Sequence, residues 1–185
     1  DTSNGGNLSF VSNGSINQTG AISLSANTSG SASAVTYDTT SGNNASGIAA
    51  GALTIAAGST SSIDYVVKSS GAPIATSGAN VPGSIVLDNT YLGSVDNGIT
   101  SANISSGAPS NTTAITVTGA LTAANLSGAA NAISLQAIGN GGFGAKVSAS
   151  MTATKGDIYV NTQTTGLSGA GFAFYGGDIT ANSGN

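Results

Sequence analysis

The sequence predicts an all-β protein: an antiparallel, immunoglobulin-like β-sandwich preceded by an extended N-terminal strand. Three observations carry this expectation. Apolar residues alternate with small or polar ones along much of the chain, the period of strands with one buried and one wet face. Clusters of Gly, Pro, Asn, Asp and Ser punctuate that alternation at short intervals. With 39% hydrophobic residues and a net charge of −4 over 185 residues, the chain lacks the low hydrophobicity and high charge of a disordered one.

The alternation is clearest at the start. From Leu8 to Ala26, every second residue reads Leu8, Phe10, Ser12, Gly14, Ile16, Gln18, Gly20, Ile22, Leu24, Ala26, and almost all between them are small or polar. Unbroken, such a run would reach about 60 Å at roughly 3.3 Å per residue, far longer than an ordinary strand. Either the chain reverses at Asn13-Gly14, or part of the run leaves its own domain and pairs elsewhere.

Further strands follow in order. Val35-Thr36-Tyr37, Leu53-Thr54-Ile55 and Ile63 to Lys68 are short alternating pieces, and Gly58 to Ser62 reads as the turn between the last two. Pro73 and Pro82 bracket a polar connection, because proline is confined to strand edges, starts and bulges. Ser84 to Asp88 is a strand, followed by Tyr91-Leu92 and an Asp96-Asn97-Gly98 turn, and Asn111 to Thr118 carries Ile115 and Val117 on one face. Residues 120–137 read either as a short helix around Leu121 or, from Ala132, as a strand. Ala145 to Thr154 is one half-buried strand, and Ile158 to Val160 and Phe172 to Tyr175 complete the set. No repeat of constant period is evident, which disfavours a solenoid.

Composition excludes much chemistry. There is no Cys, His, Trp, Glu or Arg, and only ten residues are charged. No disulfide or thiolate–metal site is possible, and no basic patch suits a nucleic acid. No apolar run is long enough for a bilayer-spanning helix. So few ionisable groups leave little stability in ion pairs that acid would abolish. A start at Asp1 rather than Met is expected of a secreted product whose signal has been removed, an engineered start being the alternative.

The motifs that suggest chemistry are weak. Gly139-Asn-Gly-Gly-Phe-Gly144 matches a dinucleotide-binding spacing, but a strand follows it where a helix is required, so it reads as a glycine-rich hairpin loop. Asp38-Thr39-Thr40 and Asp88-Asn89-Thr90 lack the glycine of aspartic-protease signatures and read as polar turns. A Ser–Lys dyad would have to draw on Lys68, Lys146 or Lys155. Asp96-Asn97-Gly98 lacks the rest of a calcium loop. No enzymatic activity, metal or cofactor is expected. Eight Asn-x-Ser/Thr sequons stand at Asn7, Asn13, Asn17, Asn27, Asn44, Asn103, Asn111 and Asn125. About four or five would arise by chance at this composition, so covalent N-glycans are expected on some.

Taken together, an almost uncharged chain rich in Ser, Thr, Gly and Asn, dense in sequons, and β-patterned behind an alternating N-terminal tail resembles the thread filament subunits of thermoacidophilic archaea (Sulfolobales). The resemblance is one of general character over the whole chain. It implies a pilin-like β-sandwich that polymerises head to tail outside the cell, each tail completing its neighbour's fold as a donor strand. On that reading residues 1–17 are the tail and 18–185 the head. Leu8, Phe10 and Ile16 insert into the neighbour, with Gly14 at a shallow position. The partners implied are identical subunits, and possible roles are adhesion or biofilm formation at the cell surface. The alternatives are a monomeric adhesin or carbohydrate-binding sandwich, or a surface domain of a flagellin or S-layer protein.

Overall fold

A computed structural model describes residues 7–26, 33–42, 46–57, 63–69, 72–89, 113–124, 131–139, 142–164 and 170–182. The alternating opening run becomes three strands rather than one. These are β1 (Leu8–Val11), β2 (Ile16–Asn17) and β3 (Ile22–Ala26), separated by bends at Ser12–Ser15 and Gln18–Ala21. Each of the three belongs to a different sheet.

That pattern repeats along the chain. β4 (Ser33–Asp38), β5 (Ile48–Ala50) and β6 (Leu53–Ala57) form the second set, and β7 (Ile63–Lys68), β8 (Ile74–Thr76) and β9 (Ala79–Val81) the third. The fourth is β10 (Ser84–Asn89), β11 (Ile115–Val117) and β12 (Leu121–Ala124). The fifth is β13 (Asn131–Gly139), β14 (Ala145–Val147) and β15 (Met151–Lys155). The sixth is β16 (Asp157–Thr164), β17 (Phe172–Phe174) and β18 (Ile179–Ala181). Corresponding strands of successive sets pair side by side, giving three six-stranded sheets. Every described pairing is parallel. The fold is therefore a three-sided β-solenoid of six coils.

This overturns the antiparallel immunoglobulin-like or pilin-like sandwich. Alternation reports that one face of a strand is buried, and a solenoid wall satisfies it as well as a sandwich does. The crossover that any parallel pair requires is supplied here by the coil's other two strands. Two smaller readings fall with it. The run Ala145 to Thr154 is two strands meeting at a corner, and the Pro73–Pro82 connection contains β8 and β9. The helix considered near Leu121 is strand β12. Tyr91-Leu92 and Asp96-Asn97-Gly98 lie outside the described residues.

The core consists of side chains stacked coil upon coil. In the first sheet, register aligns Leu8, Val35, Tyr65, Ile85, Ile133 and Ile158 in one inward row, and Phe10, Tyr37, Val67, Leu87, Leu135 and Val160 in the next. In the third sheet, Ile22, Leu53, Ala79, Leu121, Met151 and Ile179 form a row. The outward row beside it is polar throughout: Ser23, Thr54, Asn80, Thr122, Thr152 and Thr180. On the first sheet's outer face, Lys68 stands in register between Asp38 and Asp88, opposite charges directly abreast.

The rows also explain why no period was visible. The step from Tyr65 to Ile85 is less than half that from Ile85 to Ile133, because very different numbers of residues separate the strands between them. The corner between the second and third sheets stays short in every coil and is crowded. At Gly78 the backbone is left-handed (φ 120°), and a methyl group on Gly119 would lie 1.6 Å from the Ser77 carbonyl oxygen. Along the corner between the first and second sheets, buried Thr39, Ser69 and Asn89 donate to carbonyls of the following turn. Thr39 Oγ1 reaches Ser46 O at 2.9 Å, Ser69 Oγ reaches Ala72 O at 2.7 Å, and Asn89 Nδ2 bridges Ala72 O and Ala114 O.

Gly119→Ala should therefore destabilise by about 1–3 kcal/mol through overpacking against Ser77. Asn89→Ala should cost about 1 kcal/mol by removing two buried hydrogen bonds, to carbonyls that each keep one other donor, Ser69 Oγ and Ile74 N. Denaturant unfolding measures both, with outward Thr152→Ala as a nearly neutral control.

Candidate functional site: the two open ends

A solenoid coil buries its inward side chains against its neighbours, and among the described residues the first and last coils each rest on one neighbour. The inward residues of the first coil, Leu8, Phe10, Ile16, Ile22 and Leu24, are accordingly only partly buried against the core. At the other end the same holds for Ile158, Val160, Phe172, Phe174 and Ala181. In the coils between, the apolar residues of these rows are almost wholly inaccessible.

The exposure of large apolar side chains follows the same distribution. Among the described residues the exposed ones are Val11 (66%), Tyr159 (41%), Tyr175 (61%) and Ile179 (50%). Val11 lies in the first coil and the other three in the last. Among the described residues, each end also presents three strands paired on one side only: β1, β2 and β3 at the start, β16, β17 and β18 at the finish. A strand edge without a described partner offers backbone donors and acceptors, a ready template for another strand.

The first coil is anchored by aromatics. Phe10 stacks on Tyr37 with centroids 5.0 Å apart, and Tyr37 meets Tyr65 edge-on at 5.5 Å. Tyr37 Oη donates to Oε1 of Gln18, whose amide in turn donates to Gly20 O. Burial pushes the Tyr37 phenol up to about 12. It raises Tyr65 as well, with Tyr37 adding to that shift and the Thr76 hydroxyl opposing it. No hydrogen bond of good geometry reaches Tyr65 Oη, so desolvation dominates. At the far end, Lys146 Nζ lies 5.1 Å from the centre of the Tyr175 ring, and Phe143 meets that ring edge-on.

The residues singled out in the sequence fall into place unevenly. Leu8, Phe10 and Ile16 come together as inward residues of the first coil, packed on this chain's own core. Gly14 sits in the bend after β1, where its amide donates to Ser12 Oγ and a side chain would meet little. Three sequon asparagines are described, and Asn7, Asn13 and Asn17 are all exposed. Asn7 Oδ1 accepts from Ala34 N and Asn13 Oδ1 from Ser41 Oγ, bonds that a glycan attached through Nδ2 would leave in place. Asn27, Asn44, Asn103, Asn111 and Asn125 lie outside the described residues.

The motifs weighed for chemistry are turns and corners. Asp38 Oδ1 accepts from the amide and hydroxyl of Thr40. Gly139 ends β13 and Gly144 precedes β14; these strands belong to different sheets, so the stretch is a corner and not a hairpin. Lys68 and Lys155 end their strands on the outer surface. Among the described residues there is no group of His, Cys, Asp or Glu able to hold a metal, and no helix long and apolar enough to cross a membrane. The C-terminal half of the site was not foreseen. Ile158, Val160, Phe172 and Phe174 were visible as strand residues, but nothing local marks them as a terminal coil.

No protein-family model matches this chain, and no curated protein or solved structure matches it either.

Both buried phenols are neutral in the fold and ionise more readily when exposed. The stability they contribute is intact below about pH 10 and is lost as pH rises toward about 12. Spectrophotometric titration should show Tyr37 and Tyr65 ionising only with alkaline unfolding, and Tyr37→Phe should push that unfolding to higher pH.

Proposed function

We propose that this chain is the structural subunit of an extracellular filament that assembles head to tail and serves adhesion or biofilm formation. The observation that carries this reading is that the exposed large apolar side chains and the unpaired strand edges lie at the two ends of the solenoid. A contact between one end and the opposite end of another copy uses two different surfaces. It cannot close on itself in a straight stack, and so yields an open fibre. Insertion of a tail into an incomplete sandwich is not part of this reading. Leu8, Phe10 and Ile16 keep their place at the subunit joint as members of an end coil. Glycans on exposed asparagines such as Asn17 would clothe the sides of the fibre. The partners are identical copies, with surfaces or other cells as what the fibre meets.

Electron microscopy and sedimentation velocity test this directly. The wild-type chain should form filaments whose abundance rises with concentration. Ile22→Asp and Ile179→Asp, each placing a charge in an inward row at an open end, should reduce polymer at least tenfold, because burying an unpaired charge costs more than the roughly 1.4 kcal/mol of a tenfold change. Circular dichroism should show both variants folded. A wild-type chain that stays monomeric at every concentration would refute the reading.

A further inference from the structure

We propose that the joint is made coil upon coil: β1, β2 and β3 of one copy add in parallel to β16, β17 and β18 of the next. The solenoid and its hydrogen-bond ladders then run through the joint without interruption. This rests on the filament reading above and specifies its interface.

Inside the molecule, the later side of each coil always receives the earlier side of the coil that follows. The free side of the last coil is the receiving kind, and the free side of the first coil is the kind it receives. A head-to-tail contact between copies thus reproduces an arrangement the fold already makes five times within each six-stranded sheet. A head-to-head contact would set the strands antiparallel and bring the second sheet of one copy over the third sheet of the other, breaking the rows.

The side chains agree with the backbone. Extending the register places Leu8 of the incoming copy on Ile158, Phe10 on Val160, and Ile16 on Phe172. It likewise places Ile22 on Ile179 and Leu24 on Ala181, all apolar on both sides. The remaining inward position sets Gln18 against Phe174, and Gln18 is already satisfied by Tyr37. Residues 7–26 include no acid or base, so the two carboxylates of the last coil, Asp157 and Asp178, meet no like charge. Leu, Ile and Phe rows that end half-buried would become as dry as the rows of the central coils.

Two measurements follow. Six coils at about 4.8 Å each give an axial repeat of about 29 Å per subunit, readable by fibre diffraction or cryo-microscopy. The chain contains no cysteine, so engineered pairs report the register cleanly. Register extension puts Val11 directly beside Asn161 of the adjoining copy, both facing outward. Adjacent parallel strands bring such a pair within disulfide range, whereas a shift of two residues takes it beyond about 7 Å. Oxidised filaments of the double variant Val11→Cys/Asn161→Cys should resolve into covalent multimers on a non-reducing gel, and those of Val11→Cys/Gln163→Cys should run as monomer. Crosslinking of the shifted pair instead, crosslinking of Val11→Cys to itself, or filaments with no ladder would overturn this joint while leaving the filament reading intact. A wild-type chain that forms no polymer overturns both.

Discussion

Everything in this structure depends on register between coils. No coil of three short strands can bury its own apolar face; it does so only by resting on the same inward positions of its neighbours. Tyr65 is shielded because Val35 and Ile85 lie on either side of it, and Leu121 because Ala79 and Met151 do. A slip of one residue in any strand would turn Ile85 and Leu87 outward and Val86 and Asp88 inward. The parallel ladder and the apolar rows therefore enforce each other.

The corners divide into a rigid one and permissive ones. Between the second and third sheets the backbones of successive coils approach so closely that Gly119 has no room for a side chain. The corner from first to second sheet is held by the hydroxyls and amide of Thr39, Ser69 and Asn89, which donate to turn carbonyls so that each accepts two hydrogen bonds. With the register secured at these points, the number of residues between successive strands can differ from coil to coil at modest entropic cost. That is how the unequal steps from Tyr65 to Ile85 and from Ile85 to Ile133 coexist with one regular core.

The same dependence makes the ends unlike the middle. Among the described residues, stacking that protects each internal coil on two sides protects the first and last on one, and the outer edges of the strands there have no partner. Phe10 is held by Tyr37 beneath it and by nothing described above it. In this architecture the apolar side chains left least covered are those at the two termini of the stack. The groups that would carry acid–base or metal chemistry are scarce in the composition, whereas groups that pair edges and fill rows are present at both ends.

Much of the secondary structure was legible. The alternation of Ile115 and Val117 with threonines marks inward and outward faces correctly, and Leu8, Phe10 and Ile16 stand on the apolar face of the opening run. What the sequence alone determined is that the chain is β, half-buried strand by strand, nearly uncharged, and without the side chains of most catalytic sites. Only the tertiary structure decided that strands pair in parallel and that Leu8 to Ala26 turns two corners. Only it shows that Ile158 and Phe172 stand at an end. The physical reason is that alternation records which face of a strand is dry, not which strand lies beside it. Parallel pairing joins residues far apart in sequence, such as Ile85 and Ile133, and unequal numbers of residues between strands erase the period that would have betrayed it.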